Sequence, residues 1–295
     1  MVIKKTVGDY LFDIFNYLLL TLLMLITLYP FLHVISGAIS GPGALIGHKG
    51  ALLWPKGTPT LKAFELVFRN PNIVSGYRNT IIVMVLGTML NIFMTSLGAY
   101  VTSRQQFGIK RVMMFMIIFT MYFSGGMIPR YLFLKNYLGM GDHLGSLIIP
   151  GAISAYNLII MRTSFASVPA SLEESARIDG ANDLVILFKI ILPLSMATVA
   201  VMVLFYATAM WNVYFNAIMY LRDESKMPLQ VILRNLVLAN QVNIGSSGAE
   251  LADRTALANQ LKYVVVTLAA FPLIIVYPFV QKYFAKGVMI GAVKG

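Results

Sequence analysis

Six long apolar runs alternate with polar stretches along this chain, at residues 11–35, 80–101, 112–128, 144–161, 194–220 and 263–280. Within each run the apolar positions are continuous, so the period of two that marks a half-buried strand is missing. About 20 apolar residues carry an α-helix across a hydrocarbon core about 30 Å thick. A transmembrane β-barrel would instead show alternating segments of about ten residues. The pattern predicts an all-α integral membrane protein, six transmembrane helices in one domain over residues 1–295. An even number of spans puts both termini on one side. The first run is too long for a signal peptide, and Tyr29-Pro30-Phe31 stands where a small-residue cleavage site would be. It reads as a retained first span.

Opposite the termini lie three segments. Segment 36–77 is rich in Gly and Pro and contains Trp54-Pro55 and Pro59, segment 129–143 is short, and segment 221–262 carries Gly245-Ser246-Ser247-Gly248. The last is too long for a simple connection, and its apolar stretch 227–238 predicts a helix on the outer membrane face. Gly125-Gly126 followed by Pro129 is expected to end the third span, with a hinge as the alternative. On the terminal side lie the 104–111 loop and segment 162–193. Lys and Arg collect in short cytoplasmic loops. Lys4-Lys5 and the loop bearing Arg104, Lys110 and Arg111 therefore favour cytoplasmic termini.

Composition agrees with the pattern. The chain is 58% hydrophobic and 12% charged, with a mean hydropathy of +0.76, whereas an ordinary soluble domain is about 25% charged. The net charge of +11 has two readings. One is attraction to anionic headgroups; the other is attraction of an acidic solute or partner. Nothing in the chain points to nucleic acid. The absence of cysteine excludes disulfides, thiolate metal sites and a cysteine nucleophile. His33, His48 and His143 lie far apart without ligand spacing, so no metal site is expected.

The spans hold almost no ionisable residues beyond Asp13 and His33 in the first. Intramembrane acids and bases mark proton relays, so a proton-driven secondary carrier is disfavoured. An integral membrane enzyme would need clustered acids, bases or metal ligands, and outside segment 162–193 only Asp223-Glu224 forms an acidic cluster. No G-x-x-x-x-G-K-[ST] loop is present, so ATP is not bound through that motif. Any energy for work on a solute must arrive from another subunit.

Neutral polar and aromatic residues do occur in the spans. If the fifth run is one helix, Asn212 and Asn216 share a face, with Trp211 and Tyr214 on a neighbouring one. The fourth run offers Tyr156 and Asn157, and the third Tyr122 and Ser124. An unpaired amide in lipid costs several kcal/mol, so these groups should face a bundle interior or a wet cavity. Aromatic faces beside amides suit sugar rings. Tyr122, Tyr156, Asn157, Trp211, Asn212, Tyr214 and Asn216 are the translocation-pathway candidates, with interhelical glue and an aromatic belt as the alternative.

One polar stretch stands out, Glu174-Ser175-Ala176-Arg177-Ile178-Asp179-Gly180-Ala181, closed by Ile190-Ile191-Leu192-Pro193. It reads as a short helix outside the bilayer, exposed to a partner, within segment 166–193. The helix should begin near Pro169-Ala170-Ser171, with Ser171 as cap and Glu173-Glu174 favoured by the N-terminal dipole. Gly180 permits a tight turn or a close backbone approach. Residues 184–192 are apolar enough to rest against the bundle.

The order Glu174-x-Ala176-x-x-x-Gly180, nine residues, then Ile190-x-Leu192-Pro193 resembles the EAA motif of permease subunits in binding-protein-dependent ABC importers. Ser175 stands where that family usually has alanine. The ending Lys286-Gly287-Val288-Met289-Ile290-Gly291-Ala292-Val293-Lys294-Gly295, Tyr100 with Arg104, and Trp211-Asn212 are similar to carbohydrate-importer permeases of the maltose-permease G-subunit type. The long outer loops resemble the oligosaccharide branch, which includes transporters for polysaccharide-derived and acidic oligosaccharides. The resemblance implies the type I importer permease fold in a bacterial cytoplasmic membrane and an oligosaccharide as substrate. It implies four partner subunits: a second permease, two ATPases and an extracytoplasmic solute-binding protein that the third outer loop contacts. No cofactor is implied for this chain, since ATP and Mg would sit on the ATPases. Glu173, Glu174, Ser175, Ala176, Asp179, Gly180 and Ala181 would then couple the chain to its ATPase.

Overall fold

A computed structural model describes residues 6–48, 50–104, 108–242 and 249–292. Lys4-Lys5, Gly245-Ser246-Ser247-Gly248 and the final Val293-Lys294-Gly295 lie outside the described residues. In chain order the helices are α1 (Val7–Ile39), α2 (Lys62–Phe68), α3 (Pro71–Ser103), α4 (Lys110–Tyr122) and α5 (Met127–Leu132), which a π-helical turn over Phe133–Tyr137 prolongs. Then come α6 (Gly145–Ile148), α7 (Ala155–Ala166), α8 (Ala170–Ile178), α9 (Asp183–Ile186), a π turn over Leu187–Ile191, and α10 (Leu192–Leu194). Last are α11 (Met196–Trp211), α12 (Phe215–Tyr220), α13 (Leu229–Val242) and α14 (Ala249–Ala292). No strand occurs among the described residues.

Among the described residues three helical stretches are long and apolar enough to cross a membrane, Val7–Ile39, Pro71–Ser103 and Ala256–Ile275, and the number rises to six if each of three bent pairs is one span. The three bends fall in or beside the third, fourth and fifth runs. Lys110–Tyr122 and Met127–Tyr137 meet at 109°, Gly145–Gly151 and Ala155–Ala166 at 50°, and Asp183–Leu194 and Met196–Trp211 at 89°. The first bend falls on Gly125-Gly126, where Gly126 takes a φ of 83°; α4 ends just before them at Tyr122, and the chain turns there. The second follows Pro150-Gly151, and Ser154 then caps α7 by accepting the Asn157 N–H. α3 starts at Pro71, well before residue 80. A proline at the first helical position loses no hydrogen bond there.

The chain divides into two compact units, residues 1–70 with 233–271 and residues 71–232 with 272–295. In the first, Thr6 and Asp9 form a capping box that opens α1. The apolar stretch of α1 is unburied, which suits a helix facing lipid. At its far end Gly37 lies so close to the Tyr263 ring that a Cβ would stand 2.6 Å from it. Gln260 donates to the Ala38 carbonyl at 2.9 Å, and His33 Nδ1 accepts the Leu52 N–H at 3.1 Å. His33 is thus a structural acceptor.

In the second unit α3 packs along α11 and α7. Small residues permit the approach: a Cβ on Gly87 would stand 2.8 Å from Met210 Sδ, and one on Gly98 2.9 Å from Leu158. Thr95 and Tyr206 share a hydroxyl hydrogen bond of 2.7 Å in this packing. Two apolar clusters form. One gathers Tyr100, Met161, Phe165, Ile186, Leu187, Ile191 and Met202; the other gathers Val83, Leu134, Leu147, Met210, Tyr220 and Val231. At about 1.5 Å per residue, the 33 residues of α3 separate two ends of this unit by about 50 Å. Near the first end Asn79 donates to the Ser225 and Met227 carbonyls, and at the second Arg104 meets Glu173.

Candidate functional site

The coupling candidates lie on α8 and the turn behind it. α8 begins after Pro169, which makes no side-chain cap. Ser171 is exposed inside the helix and is not the cap, so the start is set by the proline. Glu173 in the first turn faces inward and is 7% exposed. It forms an ion pair with Arg104, just past the end of α3. The Arg104 guanidinium also donates to the Phe165 carbonyl at 2.8 Å and sits 5.1 Å over the Tyr100 ring. Burial lowers the Arg104 pKa from its ordinary value. Removing one partner of such a buried pair strands the other charge, at about 3–5 kcal/mol.

The neighbouring acid behaves differently. Glu174 and Ser175 are exposed, and Leu172 and Ile178 are exposed apolar residues of the same helix, Ile178 at 86%. Ala176 packs inward on the apolar cluster. Arg177 pairs with Asp183 at 2.5 Å, and Asp183 accepts the Tyr100 hydroxyl at 3.2 Å. α8 is therefore tied to the end of α3 at two points. Between them lies a cleft of about 300 Å³ lined by Ser103, Arg104, Val168, Glu173, Glu174 and Arg177.

Asp179 closes α8, and Gly180 follows with a φ of 81°. Gly180 N–H donates to Arg177 at 3.1 Å and Ala181 N–H to Ala176 at 2.9 Å. This is the paired 5→2 and 6→1 pattern of a Schellman C-cap. A Cβ on Gly180 would meet nothing within 4 Å, so the glycine serves the left-handed turn and not a close approach. Asn182 Oδ1 then accepts the Val185 N–H at 2.9 Å and starts α9. Ile186, Leu187 and Ile191 are fully buried, as expected for a segment resting on the bundle. The pairing of Arg104 with Glu173 was missed in the sequence. Its only signal was a lone arginine ending one span and an inward-phased acid in a distant helix.

The pathway candidates are less unified. α11 ends at Trp211, Asn212 is its C-cap, and α12 starts only at Phe215. The common helical face of Asn212 and Asn216 therefore does not exist. Asn212 turns back on its own helix, its Nδ2 donating to Thr208 at 2.9 Å, and such local bonds compete with helix continuation. Trp211 is buried with its ring 6.4 Å from that of Tyr77. Asn212 is exposed, and Tyr214 and Asn216 are half-buried. Tyr122 closes α4 with 79% exposure, Tyr156 is exposed on α7, and Asn157 beside it is buried. Among the described residues no group of three His, Asp or Glu could hold a metal ion.

Residues 109–290, from α4 to near the end of α14, match the family described as binding-protein-dependent transport system inner membrane component. The chain belongs to this family. The permease is accordingly a multi-pass membrane transport subunit and not an enzyme. It is 41% identical over 285 residues to the polygalacturonan/rhamnogalacturonan transport system permease protein YtcP of Bacillus subtilis, covering 97% of this chain and 99% of that one. It is 38% identical over 291 residues to Protein LplC of Bacillus subtilis, covering 99% and 97%. Its fold matches a chain of a solved bacterial ABC transporter involved in the import of the acidic polysaccharide alginate. The TM-score is 0.81 at 34% identity, over 96% of this chain and 100% of that one. The permease has the type I importer fold.

Proposed function

We propose that this permease forms one half of the translocation pathway of an ATP-driven importer for an oligosaccharide. Its partners are a second, similar permease, two ATPase subunits and an extracytoplasmic solute-binding protein, with both termini in the cytoplasm. ATP and Mg bind the ATPases and not this chain. The reading is supported by the name of YtcP, given for polygalacturonan and rhamnogalacturonan, and by that of the solved transporter, given for alginate.

One observation carries the coupling: α8 turns Leu172, Glu174 and Ile178 outward while Glu173 and Arg177 tie it to α3. The outward face fits a groove on an ATPase. The inward ties pass the motion of that groove to Arg104 and so to α3. α3 is one unbroken helix, and in its N-terminal third Thr80 accepts the Leu229 N–H at 2.8 Å. Closure of the ATPases would move α8 and tilt α3 as a body, opening the cavity outward as the binding protein releases sugar. Residues 211–216 span the break from the end of α11 into α12, in the part of the second unit that such a tilt would displace.

The test is purification through a tag on this chain. The expected result is an ATPase and a second permease in the eluate, with oligosaccharide uptake and sugar-stimulated ATP hydrolysis after reconstitution with the binding protein. A chain that is isolated alone and moves sugar without ATP would overturn the proposal.

A further inference from the structure

A small cleft lies near the end of the second unit remote from α8, and the coupling chemistry does not use it. Its volume is about 190 Å³, and Tyr131, Lys135, Gly141, Asp142, Tyr220 and Arg222 line it. The Tyr131 and Tyr220 rings stack with centroids 5.9 Å apart and 16° between their planes. Lys135 Nζ donates to the Tyr131 hydroxyl at 3.1 Å, and Arg222 lines the same cleft. Two cations thus line the cleft, and among the described residues neither is paired with a carboxylate.

The acid in the lining is already engaged. Asp142 Oδ2 accepts Lys226 Nζ at 2.7 Å, and Oδ1 accepts the Arg222 and Asp223 N–H groups at 2.9 and 3.1 Å. Tyr220 is 4% exposed, and its hydroxyl is buried with no hydrogen-bond partner. Buried polar groups are nearly always partnered, so an orphan one beside unpaired cations points to an absent acceptor. An arginine fork takes a carboxylate through two parallel bonds, and a lysine adds a compact charge.

We infer that this cleft is a subsite for the carboxylate of a uronate residue of the transported oligosaccharide, which rests on the carbohydrate-importer reading. Arg222 and Lys135 hold the carboxylate, and the Tyr220 hydroxyl donates to it. The stacked tyrosines offer a face for the sugar C–H groups. α12 runs from Phe215 to Tyr220, so one short helix carries both Asn216 and a wall of the cleft. The recess, about 190 Å³, has room for a single sugar residue.

The experiment uses the assembled transporter in proteoliposomes with its solute-binding protein, and trigalacturonate and neutral galactotriose as probes. The wild type should import trigalacturonate. Lys135→Gln with Arg222→Gln should slow that uptake about tenfold, the scale of losing one or two charge-assisted hydrogen bonds. Tyr220→Phe, which removes one oxygen, should slow it about threefold. Unchanged uptake in both variants would overturn the subsite. So would a loss that excess binding protein restores, since the carboxylate would then belong to that protein. Wild-type import of galactotriose alone would overturn the subsite and leave the carbohydrate reading standing, and import of neither sugar would overturn both.

Discussion

At the C-terminal end of α3, Arg104 and Glu173 are buried together, their side chains 18% and 9% exposed. Beside its N-terminal part Lys226 and Asp142 meet at 38% and 33% exposure. A buried pair has no water to fall back on, so each partner fixes the other's place and joins two rigid helices. An exposed pair adds little stability, and cations nearby stay available for a ligand. The same charges therefore make a mechanical joint at one end and a binding surface at the other.

The largest expected effect breaks the joint. Glu173→Ala strands Arg104 in a buried site and should destabilise the α8 end by about 3–5 kcal/mol, read as faster limited proteolysis and a lower melting temperature. The adjacent Glu174→Lys should change stability by no more than about 0.5 kcal/mol, since it sits on the surface, yet lower capture of the ATPase. Equal stability loss in the two variants would show that Glu173 is not the joint.

Gly180→Ala comes next. Placing a Cβ at a φ of 81° costs about 1–2 kcal/mol, although the surrounding space is empty. Coupling should weaken while insertion stays normal, measured as uptake per assembled complex. Gly180→Asn, which tolerates this conformation better, should recover part of the loss. Uptake by Gly180→Ala equal to wild type would mean that the turn does not govern α8.

These two variants also mark what the sequence could disclose. Gly180 and the apolar face of Ile186, Leu187 and Ile191 were legible because their causes are local, a left-handed turn and a periodic pattern. The joint was not, because Arg104 and Glu173 are far apart in the chain and meet only when α8 folds back on α3. The break after Trp211 was hidden for another reason. An uninterrupted apolar run conceals a side-chain bond such as that of Asn212 to Thr208, and periodicity extrapolated across it joined Asn212 to Asn216 falsely. The helix end at Gly125-Gly126 was legible, but the two glycines alone did not say that the chain turns by 109° there.

The pathway candidates allow a finer test midway between the two ends. The chain has no native cysteine, so single cysteines at positions 211, 212 and 216 report cleanly. Asn212→Cys should react with a polar thiol reagent, Trp211→Cys should resist it, and Asn216→Cys should fall between, following their exposure. Loaded binding protein with ATP should slow labelling at 212 and 216. Protection at neither position, in any nucleotide state, would remove both from the pathway.

The smallest effect belongs to the exposed end, where pH is the probe. Hydrogen bonds from Lys226 and from the Arg222 and Asp223 N–H groups hold the Asp142 carboxyl well below the usual carboxylate range. Lys226 is raised in turn, chiefly by its hydrogen bond to Asp142. A depressed acid contributes stability that is present above its unfolded pKa, near 3.8, and is lost as pH falls through its folded one. A raised lysine contributes stability that is complete below its unfolded value, near 10.5, and is lost as pH rises through its folded one. The network should thus be constant between these limits and fail at either extreme. Asp142→Asn, which has no carboxyl to protonate, should lower that plateau and abolish its fall at the acid side, while the Arg104 and Glu173 end keeps its wild-type melting behaviour. The comparison is read by following a fluorescent label at each end through a pH titration. Loss of both labels' signals at one common pH in wild type and Asp142→Asn alike would show that the two ends unfold as one, and that the exposed pair does not set the acid limit.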